Sequence, residues 1–551
     1  MKDLPLGIED FSQIGNYYYV DKTTILAELI DSAVGKSVLF TRPRRFGKSL
    51  TLSMIECFFT MRHDYSYLFE DKKIWSLGEE YRRHAFSRPV IRLNMKDVSA
   101  PSLPSMLEQC FERISALFRL YPEISGDPNL YPYEKQRFDA FANKTIDDPF
   151  MYADGLRFLS EMLHKHTGKK AIILIDEYDT PLENAFQNGF YDDAIEFFKR
   201  LYSSSLKANE HLYFSVMTGV LQIANESIFS ELNNLSVYSL SSPRYLTYFG
   251  FTLDEVTALC AFFHVNADLA ELRRYYGGYG NKEVELFNPW SILSFLDSRS
   301  IGSYWVNTGS NKTIQHLIDE TPGALELLNT TLASEEGTFH YLPTITYKDV
   351  RGDPNSLFSY LVQSGYLVAQ RQPEDDLFCL RIPNNEIRLA FQNEIIARNS
   401  KPGTLRLALR FKDAVMKGDD AAIASYLESY VLDSFSYLDL NSEKEYQVML
   451  TTILAVFFDE YVVRSEVVNR YGRCDILLLP KDKSLLGVVI EVKFFKGRAG
   501  AKKLSAMTAE ALNQIKTRKY YDLLLKQGCR KNLLYAFCFD KNNQAIAHEA
   551  L

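Results

Sequence analysis

The chain lacks the features that mark secreted, membrane-spanning and zinc-binding proteins. Its N-terminus has no apolar signal core, and no hydrophobic run is long enough to span a bilayer, so we expect neither secretion nor membrane insertion. The seven cysteines are scattered, odd in number and without a Cys-x-x-Cys pair. This pattern gives no zinc site and favours a cytoplasmic location, where thiols stay reduced.

An excess of positive charge is also lacking. Lysine and arginine number 62 against 70 acidic residues, and the formal net charge of −8 does not indicate general affinity for nucleic acid. Any contact with a phosphate backbone must therefore come from a local basic patch. Internal repeats and low-complexity tracts are absent, and 551 residues with 46% hydrophobic side chains suit a globular chain of about three or four domains.

The motif around which the chain is organised is Ser37–Thr51. A short apolar strand leads into a basic loop, and Gly47-Lys48-Ser49 then opens a segment with helical periodicity. Backbone N–H groups at such a helix start bind phosphates; Lys48 would reach the β- and γ-phosphates and the Ser49 hydroxyl would bind Mg²⁺. The residues predicted to bind ATP here are Arg44, Arg45, Phe46, Gly47, Lys48 and Ser49.

Position 42 departs from the usual pattern, which has glycine there. Arg42 and the residues after it, Pro-Arg-Arg, predict a stiffer and more cationic loop. The alternative interpretation is a basic surface turn before a helix. The preceding strand and a partner motif further along the chain favour phosphate binding.

That partner motif is Ala171–Asp179, AIILIDEYD. Its apolar run predicts a strand buried on both faces, as in a parallel sheet, and Asp176 and Glu177 follow at its carboxyl end. Asp176 would hold Mg²⁺ through water, and Glu177 would polarise the attacking water. Thr218 ends a neighbouring strand and is the candidate sensor of the γ-phosphate, with a plain strand-end threonine as the alternative. Together the motifs indicate a P-loop NTPase.

The order of elements predicts four regions. Strands alternate with helices up to residue 250, which favours a parallel sheet covered on both faces. A Pro/Asp/Asn-rich piece at 122–149 is interpreted as a loop or insertion. A helical pattern follows the sheet, and a helix with two short strands then suggests a winged helix. The predicted domains are 1–250 (ATPase-like), 251–345 (helical lid), 346–435 (winged-helix-like or linker) and 436–551 (α/β, C-terminal).

The C-terminal region holds a second constellation. Asp475 opens one strand, and Glu491 and Lys493 share a face of the next, so the two carboxylates can meet on neighbouring strands. They would hold Mg²⁺ or Mn²⁺ for phosphodiester cleavage, while Lys493 orients water or stabilises the pentavalent charge. Glu445 on the preceding helix would add to the metal site, and a later helix presents Gln514. The lysines and arginines that follow form a local basic patch: Lys496, Arg498, Lys502, Lys503, Lys516 and Lys519.

A half-exposed strand that alternates charged residues is the alternative for Glu491 and Lys493. The aspartate on the previous strand, the acidic helix before it and the Gln-containing helix after it favour a nuclease site.

Both halves resemble one family of bacterial proteins, which pairs an AAA-ATPase-like domain with a C-terminal PD-(D/E)XK nuclease-superfamily domain. The similar stretches are LPLGIEDF, YYVDKT, RPRRFGKSL, LIDEYDTP, TGV, NNL, FGFT, GRCDI, EVK and ALNQIKTRKYY. The resemblance implies that Arg42 is a family trait. It also implies a restriction-endonuclease-like αβββαβ core, with site positions at Glu445, Asp475, Glu491, Lys493 and Gln514.

Two functions of different class follow. The first is an ATP-binding switch that controls a metal-dependent nuclease, with roles in defence or DNA metabolism. The second is a regulatory or scaffold ATPase whose nuclease-like domain binds nucleic acid without cutting it. An intact Asp475, Glu491 and Lys493 favour the first. The expected partner is nucleic acid, with DNA preferred over RNA; a homo-oligomer stays open, and Arg244 is a candidate arginine finger from its position alone.

Overall fold

The computed structural model describes residues 2–32, 36–222, 234–305, 321, 337–345, 349–350, 353–371, 378–398, 404–434, 442–457, 460–541 and 543–551. The chain divides into two compact units, which are described separately below. Unit 1 comprises Met1–Thr321 and His340–Gln370, and unit 2 comprises Pro322–Phe339 and Arg371–Leu551.

Unit 1 is built on a five-stranded parallel sheet of order β2-β3-β4-β1-β5. Strands β1 and β3 are buried throughout, as expected for strands covered by helices on both faces. This confirms the predicted α/β sheet. Its strands are β1 (Ser37–Thr41), β2 (Val90–Asn94), β3 (Ala171–Asp176), β4 (Leu212–Gly219) and β5 (Leu235–Tyr238).

The strand order brings both N-terminal motifs to one edge of this sheet. β4 pairs with β1 on one side and with β3 on the other, with Thr41 opposite Gly219 and Ile175 opposite Met217. The phosphate loop after β1 and the acidic pair at the end of β3 therefore flank the end of β4. Ligands of open parallel sheets bind at this carboxyl edge.

The helices of unit 1 follow the apolar periodicity of the sequence. They are α1 (Ile25–Asp31), α2 (Lys48–Phe59), α3 (Lys73–Ser76), α4 (Glu79–Arg82), α5 (Leu103–Arg119), α6 (Pro132–Ala142), α7 (Pro149–Ala153), α8 (Gly155–Thr167), α9 (Thr180–Gln187), α10 (Tyr191–Leu206), α11 (Leu253–Phe262), α12 (Leu269–Tyr276), α13 (Pro289–Ser298) and α14 (Pro354–Gln363). Short 3₁₀ helices occur at Phe11–Asn16, Ser66–Leu68, Pro122–Gly126 and Leu246–Tyr248. A two-stranded hairpin, β6 (Tyr279–Gly280) and β7 (Glu285–Leu286), precedes α13.

Helix α6 corrects the interpretation of 122–149 as a loop or insertion. Pro132 occupies the first turn of this helix, where its missing N–H costs nothing, and Glu134 accepts a hydrogen bond from the Tyr131 backbone at 3.0 Å. Phe138 and Phe141 are buried against Phe118 of α5. The proline was a helix-start signal, and the buried aromatic face outweighs the polar composition.

Unit 2 holds a second five-stranded sheet, of order β11-β12-β13-β14-β15. Its strands are antiparallel except for the pair β13–β14, which helices α19 (Gly500–Thr517) and α20 (Asp522–Lys526) connect. From α18 (Glu443–Ile453) to β14 the main elements are a helix, three strands, a helix and a strand, with the short α20 added before β14, in agreement with the predicted αβββαβ core. The strands are β11 (Tyr461–Asn469), β12 (Gly472–Pro480), β13 (Gly487–Phe494), β14 (Asn532–Phe539) and β15 (Gln544–Ala550).

The helices of unit 2 lie before and within this sheet in sequence. They are α15 (Asn385–Arg398), α16 (Thr404–Lys417), α17 (Asp420–Ser434), α18 (Glu443–Ile453), α19 (Gly500–Thr517) and α20 (Asp522–Lys526), with a 3₁₀ helix at Leu454–Phe457. Strands β8 (Gly337–Phe339) and β10 (Phe378–Arg381) also belong to unit 2, whereas β9 (Val368–Arg371) belongs to unit 1 except for its last residue. The predicted helix and two strands near 355–382 thus exist, while the winged-helix assignment and the four domain boundaries stay predictions.

Within the described ranges, no helix combines the length and the apolar character that crossing a bilayer requires.

Candidate active sites

The phosphate loop folds as its glycine and basic residues require. Gly47 has φ +83°, a left-handed conformation that glycine adopts at little cost, and Lys48 is the first residue of α2. Lys48 is buried, and its Nζ donates hydrogen bonds of 3.2 Å to the carbonyls of Arg42 and Pro43. The same nitrogen lies 3.9 Å from Glu177 Oε1. The loop therefore wraps around the lysine ammonium group.

Asp176 and Thr218 lie together at the ends of β3 and β4. The Thr218 hydroxyl donates a 2.6 Å hydrogen bond to Asp176 Oδ1, and both residues are fully buried. Asp176 Oδ2 has no hydrogen-bond partner and lies 3.8 Å from Arg92 Nη2. A buried carboxylate oxygen without a partner is costly unless a cation or water binds it, so Asp176 fits the predicted Mg²⁺ site. The hydroxyl of Thr218 orients this carboxylate.

Glu177 has a strained backbone. Its φ of +53° is uncommon for a residue with a side chain, and such strain costs on the order of 1–3 kcal/mol and clusters at functional sites. The side chain keeps 22% of its surface exposed, in contrast to the neighbouring Asp176. Glu177 is thus accessible to water, while Asp176 is enclosed.

Arg42 plays a different part from the one its charge suggested. Its guanidinium group is fully buried and donates hydrogen bonds to the carbonyls of Thr41, Tyr238 and Tyr245, at 2.9, 2.6 and 3.1 Å. Burial lowers the pKa of Arg42 to about 9. The group ties the loop to the β5 edge and adds no exposed charge for a phosphate.

The other predicted loop residues bind protein groups. Arg44 forms an ion pair with Glu183 at 3.0 Å, and the Arg45 guanidinium lies 4.4 Å from the centre of the Trp290 ring. Phe46 is buried. The first two side chains therefore line the loop with cationic groups that α9 and α13 hold in place.

A cleft of about 320 Å³ joins these residues, a volume within the range of small-molecule sites. It is lined by the phosphate loop from Arg44 to Thr51 and by Glu177. Aromatic side chains, among them Tyr18, Phe251 and Trp290, also line it. The cleft thus combines polar groups suited to phosphates with aromatic groups suited to a base. The sequence analysis missed Trp290, although the Asn-Pro-Trp helix start was visible.

Asp179 is a buried carboxylate beside this cleft. Its Oδ2 accepts hydrogen bonds of 2.8 Å from the backbone N–H groups of Val220 and Leu221, and its Oδ1 has no partner. Burial, followed by repulsion from Glu177, raises the pKa of Asp179 from 3.8 to about 7. The folded protein therefore binds an additional proton between these pH values, and stability falls as pH rises through that window.

We predict that Asp179→Asn flattens the pH dependence of stability between about pH 4 and pH 7. A rise of about three pKa units means that ionised Asp179 lowers the free energy of unfolding by roughly 4 kcal/mol. Asparagine carries no charge, so above pH 7 the variant should unfold at a higher temperature than the wild type. Thermal unfolding midpoints across this range measure the effect, with the exposed Asp193→Asn as the control. Parallel pH profiles for Asp179→Asn and the wild type would contradict this prediction.

The second constellation lies on β12 and β13 of unit 2. Their antiparallel register places Ile476 opposite Ile490, so Asp475 and Glu491 occupy the next position on each strand and share a face of the sheet. Asp475 Oδ2 accepts a 2.7 Å hydrogen bond from the Val492 backbone. Burial raises the pKa of Asp475.

Glu491 is the most enclosed group of this site. Its side chain is 2% exposed, and its Oε1 accepts hydrogen bonds from Lys493 Nζ, at 2.9 Å, and from Gln514 Nε2. Burial, followed by repulsion from Asp475, raises the pKa of Glu491 to about 7. Its Oε2 is buried without a partner. Two neighbouring carboxylates with an orphan oxygen fit a divalent cation.

Lys493 faces carboxylates from two elements. Besides Glu491, its Nζ lies 3.6 Å from Glu443 Oε1 at the start of α18. Nearby carboxylates raise the pKa of Lys493 against the opposing effect of burial, which keeps the ammonium charged. Glu443 and Glu445 are both exposed, and the role of Glu445 in the metal site stays a prediction. The sequence analysis did not name Glu443.

Gln514 links the site to the end of α19. Its Nε2 donates to Glu491 and lies 3.3 Å from the Tyr520 hydroxyl, which also accepts a hydrogen bond from Arg518 at 3.3 Å. Among the residues described, no group of three or more His, Cys, Asp or Glu side chains is placed to hold a metal. A pair of carboxylates suits Mg²⁺, which keeps several water ligands in proteins.

The two sites define a phosphate-binding α/β unit and a unit with the core of the restriction-endonuclease-like fold. Residues 5–229 match the family model described as a predicted AAA-ATPase, and residues 441–549 match the model of the PD-(D/E)XK nuclease superfamily. The chain thus joins an AAA-ATPase-like domain to a C-terminal PD-(D/E)XK nuclease-superfamily domain. The resemblance inferred from its motifs is confirmed.

One curated relative is described as an uncharacterized protein in the vnfD 5′ region of Azotobacter chroococcum mcd 1. It is 27% identical over 404 residues, which cover 72% of this chain and 70% of the relative. Among solved structures, the ORC2 protein of Aeropyrum pernix, in ADPNP–ADP complexes, covers 68% of this chain and 92% of its own. Its identity is 11% and its TM-score is 0.24, too low to support any conclusion about this chain.

Proposed function

We propose that this protein is an ATP-binding and ATP-hydrolysing switch that controls a metal-dependent nuclease acting on DNA. The observation that carries the proposal is the buried Glu491 carboxylate. It lies beside Asp475 and Lys493 with one oxygen unpartnered, in a chain that also holds a phosphate loop. A buried carboxylate pair is expensive for stability alone, and a cation would offset that cost.

In the ATP site, each residue has a separate task. Lys48 exchanges its contacts with the loop carbonyls for the β- and γ-phosphates, and Glu177 accepts a hydrogen bond from the water that attacks the γ-phosphorus. Thr218 fixes the orientation of Asp176 through its 2.6 Å hydrogen bond. Ser49 and Asp176 would hold Mg²⁺, whose charge stabilises the phosphate oxygens. The aromatic side chains that line the cleft bind the base.

In the nuclease site, water attacks the phosphorus of a phosphodiester and one P–O bond to the sugar breaks. Lys493, kept charged by its acidic neighbours, orients that water or stabilises the negative charge that develops on the phosphate. Gln514 holds the Glu491 carboxylate in place. Asp475 and Glu491 would bind Mg²⁺ or Mn²⁺, which supplies Lewis-acid activation of the phosphate.

The assignment of nucleic acid as the substrate rests on local charge, which suits the phosphates of DNA and RNA alike. Four exposed cationic residues, Lys496, Arg498, Lys502 and Lys503, lie between β13 and the first turn of α19. Lys503 Nζ lies 3.5 Å from the centre of the Phe495 ring. This basic segment can follow a phosphate backbone although the protein is acidic overall.

A plasmid-nicking assay with the full chain tests the proposal. We expect relaxed or linear DNA with Mg²⁺ or Mn²⁺, no cleavage in EDTA, and a rate that differs between reactions with and without ATP. Binding of DNA without cleavage under every metal condition would contradict the nuclease and support the scaffold ATPase instead.

A further inference from the structure

The turn that joins β11 to β12 exposes an aromatic side chain. Asn469 pairs with Gly472, so Arg470 and Tyr471 form a two-residue connection at the tip of the hairpin. The side chain of Tyr471 is among the exposed large hydrophobic groups, at 43%. The guanidinium of Arg470 lies 4.5 Å from the centre of its ring. Single exposed aromatic side chains are common on protein surfaces, and Tyr471 is distinguished by its position at the tip of this hairpin.

This tip adjoins the nuclease site. A Cβ placed on Gly472 would lie 3.1 Å from the Arg518 side chain and 3.1 Å from the Tyr520 hydroxyl. The Tyr520 hydroxyl contacts Gln514, which in turn donates to Glu491. Two side chains therefore separate the backbone of the tip from the buried catalytic carboxylate. Glycine at 472 is what permits this close approach.

Exposed positive charge surrounds the same tip. Arg470 and Arg473 flank Tyr471 in sequence, and Arg518 and Lys519 follow the end of α19; all four are exposed. A cluster of this sign in an acidic chain favours the phosphates on either side of a nucleotide. The arginine against the ring adds a cation–π interaction that keeps the aromatic plane oriented.

We propose that Tyr471 is a stacking platform for an unpaired nucleobase, so that the nuclease domain takes DNA with single-stranded nucleotides beside the scissile phosphate. This inference rests on the proposed nuclease function. A paired base inside a duplex presents only its edges, because its faces are covered by neighbouring bases. Away from the ends of a duplex, an exposed ring can therefore stack only on a base that is unpaired, and such stacking tolerates any sequence.

The test is DNA binding by the full chain, measured by fluorescence anisotropy with Mg²⁺ in a Lys493→Ala background that prevents cleavage. The probes are a single-stranded oligonucleotide and the fully paired duplex of the same sequence. Tyr471→Ala should weaken binding of the single strand roughly tenfold, since stacking on an aromatic side chain contributes about five- to 150-fold per base. Tyr471→Phe keeps the ring and should bind within about twofold of the parent.

Controls separate stacking from charge and from surface chemistry. Tyr133, an exposed tyrosine of α6, is the matched site, and Tyr133→Ala should leave binding unchanged. Arg518→Ala should lower the slope of log affinity against log salt concentration by about one, the value of one phosphate contact. Tyr471→Ala should leave this slope unchanged.

Two results would overturn the inference: equal single-strand affinity for Tyr471→Ala and its parent, or an equal loss of affinity for the duplex. Failure of the nuclease proposal has a different signature. A wild type that binds the single strand through Tyr471 but cuts no DNA with either metal would contradict cleavage and support stacking.

Discussion

Replacing Lys48 by alanine should abolish binding of ATP–Mg²⁺. The lysine is buried in the floor of the cleft, with its ammonium held by two loop carbonyls and 3.9 Å from Glu177, so no other cation of the loop can take its position. Arg42 is committed to backbone carbonyls, and Arg44 to Glu183. We expect isothermal titration to give a loss of affinity of at least about 100-fold, because a charge-assisted contact to phosphate is removed.

The matched control is Lys73→Ala, which removes an exposed lysine of α3 and should bind ATP as the wild type does. Thermal unfolding of Lys48→Ala without nucleotide shows whether the variant stays folded. Equal affinity of the wild type and folded Lys48→Ala for ATP would contradict the phosphate-loop interpretation.

Glu177→Gln separates binding from hydrolysis at the same site. The substitution leaves the phosphate cradle intact and removes only the group that polarises water, so the variant should bind ATP and retain it. Loss of a general base typically lowers the rate by about 10²–10⁴-fold. Rapid filtration of bound ATP measures the retention, and hydrolysis at the wild-type rate would contradict the role of Glu177.

In the nuclease site, Lys493→Ala and Glu491→Gln should each reduce DNA cleavage by about 10²–10³-fold or more. Removing Lys493 leaves Glu491 and Glu443 without their shared cation, and Glu491→Gln removes a charge from the proposed metal pair. Initial rates on supercoiled plasmid measure both losses. Lys526→Ala on α20 is the control that should cut normally. Wild-type rates in both site variants would exclude this constellation as the nuclease centre.

The sequence predicted the parallel sheet because its signals are local and strong. One apolar strand is followed by Gly-Lys-Ser and a second ends in Asp-Glu, so the sequence indicates that the carboxyl ends of these two strands lie close together. The register of β1, β3 and β4 brings both strand ends to one edge of the sheet. The αβββαβ core of unit 2 was predicted from the resemblance to a known superfamily, and the two-residue period of a strand predicted that Glu491 and Lys493 share a face of β13.

Arg42 shows where sequence reasoning stops. Its charge is visible in the sequence, but its direction depends on acceptors at Tyr238 and Tyr245, about two hundred residues away. No pattern in the sequence near Arg42 predicts hydrogen bonds to carbonyls so far away along the chain.

Glu443 shows a second limit. Glu443 and Glu445 are two residues apart on α18, and two residues correspond to roughly half a helical turn. An uncertainty of one or two residues at a helix end is normal, so the sequence could not show that Glu443 lies near Lys493.

The central claim is that ATP controls the nuclease, and this requires ATP to bind two states of the protein unequally. Shifting a mostly inactive population to a mostly active one takes about 5.5 kcal/mol of differential affinity. The contacts of the phosphates with Lys48, and those of their cation with Ser49 and Asp176, are a plausible source of that difference.

The most direct measurement compares cleavage rates of the wild type, Lys48→Ala and Glu177→Gln at fixed metal concentration, with and without ATP, with Lys493→Ala as the inactive control. We expect ATP to change the cleavage rate of the wild type and to leave the rate of Lys48→Ala unchanged. Glu177→Gln, once it has bound ATP, should keep the cleavage rate of the ATP-bound state. Identical rates in all but the inactive control, regardless of ATP, would contradict the switch.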